Sequence, residues 1–133
     1  MIQVRTSHSI TSEAAAELVS KAVAKGAPVS VAVVDPAGEL LAFRRMDGAP
    51  AFSARLAIAK ARTAAAFGRP TADMESLFDG RDWFGAGFLP LGPWFVSKGG
   101  APILIDGECV GAVGLSGNTA EHEDAVAREI ATS

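Results

Sequence analysis

The sequence predicts an α+β domain in which helices pack on an antiparallel sheet. Two stretches rich in β-branched and apolar residues flank the turn residues Asp35-Pro36-Ala37-Gly38, and two more flank Asp106-Gly107, so the strands come as hairpins. Helical stretches stand before, between and after these hairpins instead of alternating with single strands, which argues against a parallel βαβ sheet. At 133 residues the chain has the size of one domain with one core, and no repeat, linker or low-complexity tract divides it.

Each element has its own signal. From Thr11, the positions Ala14, Ala15, Leu18, Val19, Ala22 and Val23 recur at helical spacing, with Glu13, Glu17, Lys21 and Lys25 between them and Gly26 as the stop. Residues 28–34 are dense in valine and predict a buried strand, and residues 39–45 predict its hairpin partner. After Asp47-Gly48-Ala49-Pro50, the Ala-rich residues 51–67 predict a second helix ending near Gly68, with Phe52, Leu56, Ala59 and Thr63 marking one face. Thr71, with Asp73 and Glu75 after it, caps a predicted short third helix that stops at Gly80. Residues 81–97 hold Trp83, Phe84, Phe88, Trp94 and Phe95 among glycines and prolines, so no single period survives; a loop with at most one strand is expected. Residues 101–105 and 108–115 predict the second hairpin, and Asn118 with Glu121 predicts the cap of a final helix running to the C-terminus.

Composition narrows the function classes. A net charge of −3 and a pI near 5.3, with scattered basic residues, offer no field for nucleic acid. A capped helix begins almost at once, leaving no room for a signal peptide, and no apolar stretch has the length of a membrane span, so a cytoplasmic location is expected. The lone Cys109 can form no internal disulfide, and no two histidines have metal-site spacing, so no metal site is expected. Gly-x-Ser-x-Gly, Walker and dinucleotide fingerprints are absent.

Several strings in order resemble one family across nearly the whole chain: Val31-Ala32-Val33-Val34-Asp35, Arg45-Met46-Asp47-Gly48-Ala49, Lys60-Ala61-Arg62-Thr63-Ala64, Gly99-Gly100-Ala101-Pro102-Ile103, Asp106-Gly107, and Val110-Gly111-Ala112-Val113-Gly114-Leu115-Ser116-Gly117. Together they are similar to the GlcG/HbpS family, also called heme-degrading or PduO C-terminal-like. The resemblance implies a five-stranded antiparallel sheet flanked by helices (profilin/roadblock-like, in the order α-β-β-α-α-β-β-β-α) and assembly into homo-oligomers. It implies a link to heme, to glycolate utilisation or to corrinoid metabolism. Lys98 stands where the family often has a third glycine, and Glu121-His122-Glu123-Asp124 replaces the usual Glu-Gln-Asp-Glu.

The residues themselves nominate a pocket. The Gly-rich turn into the last helix, Ser116-Gly117-Asn118-Thr119, offers backbone N–H groups and the positive end of a helix dipole to a carboxylate, or else is a tight connection needing glycine. Arg45 can clamp a carboxylate and Asp47 can orient it or act as a base, unless Asp47 caps the helix after Pro50. Lys60, among alanines, either lies along the surface or points into a cavity. These groups, with Met46, Gly99, Gly100 and His122, are expected to line one shared groove. Heme would need an axial ligand from His8, His122, Met46, Met74 or Cys109, with a loose surface position the default for His8. The leading reading is a cytoplasmic small-molecule-binding protein taking heme or another planar or carboxylated ligand. One alternative is a cofactor-independent isomerase, tautomerase or lyase using Asp47, Lys60 and His122; another is a structural oligomeric module, with the aromatics of residues 83–95 buried between subunits.

Overall fold

A computed structural model describes all 133 residues. Its elements run α1 (Ser12–Val23), β1 (Ser30–Val34), β2 (Leu40–Arg45), α2 (Ser53–Phe67), α3 (Asp82–Phe88), β3 (Gly100–Ile105), β4 (Glu108–Ser116) and α4 (Ala120–Ala131). Single 3-10 turns at Thr71–Asp73, Glu75–Phe78 and Leu89–Leu91 flank α3.

Both hairpins form where the turn residues place them. Asp35 Oδ1 accepts from the amides of Ala37 and Glu39, tying the first turn to its own side chain. Asp106 and Gly107 both have positive φ, 50° and 79°, the conformation a two-residue hairpin of the right twist demands. The sheet has the order β2-β1-β4-β3, and every neighbouring pair is antiparallel.

The sheet has four strands, not the five expected. Residues 81–97, where a further strand was allowed, form α3 and a 3-10 turn followed by irregular chain, so β3 is left as an edge. Aromatic clustering explains this: Phe84 and Phe88 stack 5.7 Å apart, and Phe88 stacks on Trp94 at 4.9 Å and meets Phe67 of α2 edge-on at 5.3 Å. Those contacts need a helical turn to bring residues four apart together, which an alternating strand cannot do. The predicted helix after Thr71 is two separate 3-10 turns, and Thr71 is buried as a donor and acceptor for Gly100 instead of serving as a cap.

Helices cover both faces. Helices α1 and α4 pack on one face over Val31 and Val33 of β1 and Val113 and Leu115 of β4, and this layer forms the main core with Leu18, Val19, Val126 and Ile130. Helix α2 covers the other face, where Ala57, Ala61 and Ala64 meet Ala32, Val34 and Ala112. All five residues of β1 are therefore buried. The α2 interface is built from small side chains. A Cβ on Gly114 would lie 2.0 Å from the carbonyl oxygen of Ala57 and 2.6 Å from the amide nitrogen of Ala61, so only glycine permits this approach.

Cap chemistry refines the helix ends. Thr11 caps α1 by accepting from the amide of Ala14, and Gly68 ends α2 at φ 64°. Helix α2 has no side-chain cap, so Asp47 does not serve in that role; the expected face residues Ala59 and Thr63 are buried with Ser53, Ala57, Lys60, Ala61 and Ala64, while Phe52 is exposed. The cap of α4 is Thr119, one residue beyond the expected Asn118.

Gly114→Ala is expected to destabilise the fold by about 3 kcal/mol or more, since backbone atoms on both sides must move. Urea unfolding followed by circular dichroism measures this, and an unchanged midpoint would contradict the packing described.

Candidate functional site

The residues nominated by the sequence gather at one end of the sheet. Ser30 at the start of β1 is opposite Arg45 on β2 and Ser116 on β4, so these three lie in a row across adjacent strands. Gly99 joins them because its carbonyl accepts from the amide of Leu115. Within this end, the tightest feature is an ion pair: Lys60 Nζ of α2 lies 2.8 Å from Glu123 Oε1 of α4 and donates to the carbonyl of Leu115 at 3.0 Å. Both side chains are buried, 5% and 6% exposed, and the ammonium also lies 5.5 Å from the ring centre of Phe95.

Glycine makes room for that lysine. A Cβ on Gly99 would fall 3.0 Å from both Cδ and Nζ of Lys60 and 2.6 Å from the carbonyl oxygen of Leu115, and one on Gly100 would fall 2.6 Å from the carbonyl oxygen of Lys60. The second carboxylate oxygen of Glu123 accepts from the amide of Asn118 at 2.9 Å. Thr119 accepts from the amide of His122, and the side chain of Asn118 accepts from the amide of Thr119. The donors at the head of α4 thus meet acceptors of the chain itself, Glu123 above all, where an external anion had been expected.

The other nominated residues stand around this pair without joining it. Arg45 and Asp47 are exposed and form no ion pair, Met46 packs against the main core, and His122 is half-buried with no hydrogen bond from its ring. Lys98 reaches toward Glu121 at 3.7 Å near the surface. Among the heme-ligand candidates, Met74 is fully buried and Cys109 directs its sulfur at backbone carbonyls of Ala65 and Gly111.

A groove of about 620 Å³ lies elsewhere, at the β3–β4 hairpin end between α1, α4 and the N-terminal arm. Leu18, Ile103, Ile105, Val110 and Ile130 make its apolar walls. His8 and Glu108 stand at its side: His8 Nδ1 lies 2.8 Å from Glu108 Oε1, and the His8 amide donates to Oε2 at 2.9 Å. Because a carboxylate only accepts, the hydrogen bond puts a proton on Nδ1 and leaves Nε2 as the ring nitrogen turned away from Glu108. The His8 hydrogen bonds, the side-chain one foremost, hold the Glu108 carboxyl below the usual carboxylate range. Ile10 anchors the arm by donating its amide to the carbonyl of Val110 at 2.8 Å. Lys21 on α1 also lines the groove and forms no ion pair.

Two of these residues, Glu123 and Glu108, escaped the sequence reading, while His8 was already among the heme-ligand candidates. Glu123 could have been found from helical phase, since it falls on the α4 face that holds Val126, Ala127 and Ile130. The His8–Glu108 pair is a contact between residues 100 positions apart, and no local pattern announces it.

Helices on both faces of a four-stranded antiparallel sheet define the chain as a three-layer α+β domain. The haem-degrading HbpS-like family matches residues 7–132, and the chain belongs to that family. It is 41% identical to the protein GlcG of Escherichia coli K12 over 90 residues, which make up 66% of this chain and 63% of GlcG, so the match spans less than two thirds of that relative. A solved structure of a Streptomyces reticuli HbpS double mutant superposes with a TM-score of 0.85 at 29% identity, over 96% of this chain and 88% of that one. A solved PduOC:heme complex superposes with a TM-score of 0.83 at 26% identity, over 92% and 93% of the two chains. No helix is long and apolar enough to cross a membrane.

Removing either partner of the buried pair leaves an uncompensated charge, so Lys60→Met or Glu123→Leu is expected to cost about 3–5 kcal/mol. The double variant Lys60→Met with Glu123→Leu should recover much of that loss in a denaturant-based double-mutant cycle; additive losses would contradict the pairing. The arm tether has a pH signature. The lowered Glu108 value makes its contribution fully present above the ordinary carboxylate range and lost as pH falls through the lowered folded value. The protection of the His8 amide relative to its intrinsic exchange rate should therefore hold near neutrality and fall in acid, and protection independent of pH would contradict it.

Proposed function

We propose that the chain binds heme, or a planar carboxylated ligand of that kind, in the groove between α1, α4 and the β3–β4 hairpin. The observation that carries this reading is the His8–Glu108 pair at the side of an apolar groove. An imidazole whose Nδ1–H is held by a carboxylate presents Nε2 in a fixed orientation as a metal ligand, and the carboxylate raises its basicity. The groove volume falls within the roughly 300–1,000 Å³ of small-molecule sites.

The residues present fit the group. Leu18, Ile103, Val110 and Ile130 offer apolar walls to a macrocycle, and the unpaired ammonium of Lys21 suits a propionate. Bound heme supplies an iron centre for which an imidazole is an ordinary axial ligand. The protein's own part is to position His8 through Glu108, to exclude water with the aliphatic walls and to meet the carboxylate at Lys21. Family membership and the similarity to PduOC solved with heme support the same choice of ligand.

The end of the sheet with Arg45, Asp47, Lys60 and Ser116 carries less of this reading. Its central cation and central carboxylate neutralise each other, and Glu123 occupies the amide of Asn118 that an external carboxylate would need.

Hemin titration followed in the Soret region tests the proposal. The native chain should give a saturable shift at micromolar protein; His8→Ala should lose the imidazole-bound spectrum and Glu108→Gln should weaken binding by about 10–100-fold. His122→Ala, at the far end of the sheet, should bind as the native chain does. No saturable shift, or an unaltered one in His8→Ala, would overturn the assignment.

A further inference from the structure

The charges along the groove are ordered. Carboxylates stand at the arm and the hairpin, Glu108 bonded to His8 and Asp106 in the turn, and Glu17 follows on α1. One helical turn beyond Glu17 the lining changes sign at Lys21, whose ammonium has no ion-pair partner. The groove does not stop there. A second hollow of about 360 Å³ continues from it: Lys21, Ile130 and Ser133 line both, and Ala24, Lys25 and Glu129 line the extension. Lys25 follows Lys21 by four residues, just past the last turn of α1, so the two lysines border one space.

Lys25 is occupied, but loosely. Its ammonium pairs with the carboxylate of Glu129 on α4, the only acidic side chain lining the extension. The two side chains are 38% and 57% exposed, and an ion pair at that exposure is weak because water and salt compete for each partner. The helix ends add to the imbalance. Helices α1 and α4 both finish here, at Val23 and Ala131, and their terminal carbonyls favour the two lysines and oppose Glu129 in the last turn of α4. Glu129 can therefore turn out to solvent while the fold keeps both ammoniums in place.

We infer that Lys21 and Lys25 select a planar ligand with two carboxylates on one edge, Lys21 taking one and Lys25 leaving Glu129 for the other. The inference rests on the heme reading of the groove and adds to it the ligand's orientation and class. Glu17, Asp106 and Glu108 repel carboxylates at the hairpin end, so the carboxylated edge points to the ends of α1 and α4 and the centre of the ring is left to His8. A ligand with one carboxylate needs only Lys21. A second carboxylate contributes only by displacing Glu129, which makes that side chain the discriminator between the two classes.

Hemin, its monomethyl ester and its dimethyl ester differ in carboxylate count, and titrating each into the intact chain in the Soret region tests the inference. Hemin should bind at least about 10-fold more tightly than the dimethyl ester, with the monomethyl ester between them. Lys25→Met should weaken hemin by about 3–5-fold and leave the dimethyl ester unchanged, a split that a merely structural loss would not give. Glu129→Gln should tighten hemin by about 2–5-fold, and the imidazole-bound spectrum should persist in both variants. No saturable shift with any of the three would sink the heme reading and this inference with it. A His8-dependent shift with equal affinities for the three, or a Lys25→Met loss equal for hemin and dimethyl ester, would overturn the two-lysine assignment alone.

Discussion

The closeness of α2 to the sheet is the constraint on which the rest of the molecule depends. Helix and strand backbones approach until a methyl group on Gly114 would overlap the carbonyl of Ala57, and alanines from both sides fill the remaining space. At that separation Lys60 can reach past Gly99 to the carbonyl of Leu115 and to Glu123 on a helix that covers the opposite face. A larger residue at position 99, 100 or 114 would lift α2, and the lysine would lose its partner before the hydrophobic contacts failed. Gly99 and Gly100, expected to line a ligand groove, therefore make room for a buried charge.

That ion pair closes one end of the sheet, and the apolar groove lies at the other. A buried pair adds little net stability over apolar packing, but it fixes which groups face each other, because any slip of α4 against α2 strands both charges. Glu123 also takes the Asn118 amide, so the β4-to-α4 connection is held by side chains of the chain itself. At the far end nothing comparable exists: α1 and α4 splay over the β3–β4 hairpin, the arm crosses the gap through Ile10 and His8, and Lys21 stays unpaired. A buried ion pair at one end and an open apolar groove at the other set the two ends of the strands apart.

Much of the fold was legible because local chemistry and tertiary packing agree. Thr11, Gly68 and Asp106-Gly107 do in the structure what their caps and turns require. The face of α2 was read only in part: Ala59 and Thr63 are buried as expected, but alanine, serine and threonine carry too little hydropathy contrast to give the helix a sharp phase, and Phe52 drew the apolar stripe toward solvent. The same helix showed Lys60 as an anomaly without naming its partner, since the helical phase of Glu123 had to be read in a segment sixty residues away. Arg45, Ser116 and Gly99 do come to one end of the sheet, as hairpin registers require; whether that end is open or filled depends on side-chain reach, which no spacing reports. The groove was invisible for a different reason: its walls come from four separate segments, each ordinary alone.

The missing fifth strand ties these features together. With residues 81–97 drawn into an aromatic cluster, β3 keeps an unpaired outer edge, and an exposed edge invites pairing with another chain. Pro102 sits in the middle of β3, where it removes a backbone donor and is tolerated because β3 is an edge. The edge is thus blunted by sequence while the apolar material that would have covered it is displayed on α3. Arg62 lies 5.8 Å from the Trp94 ring, extending the stack Phe84–Phe88–Trp94 down onto α2 and giving that helix an outer layer in place of a strand. An aromatic stack held by so few backbone hydrogen bonds gains most from burying its outer rim, so the segment that gave up sheet pairing is also the one with the strongest physical reason to find a partner.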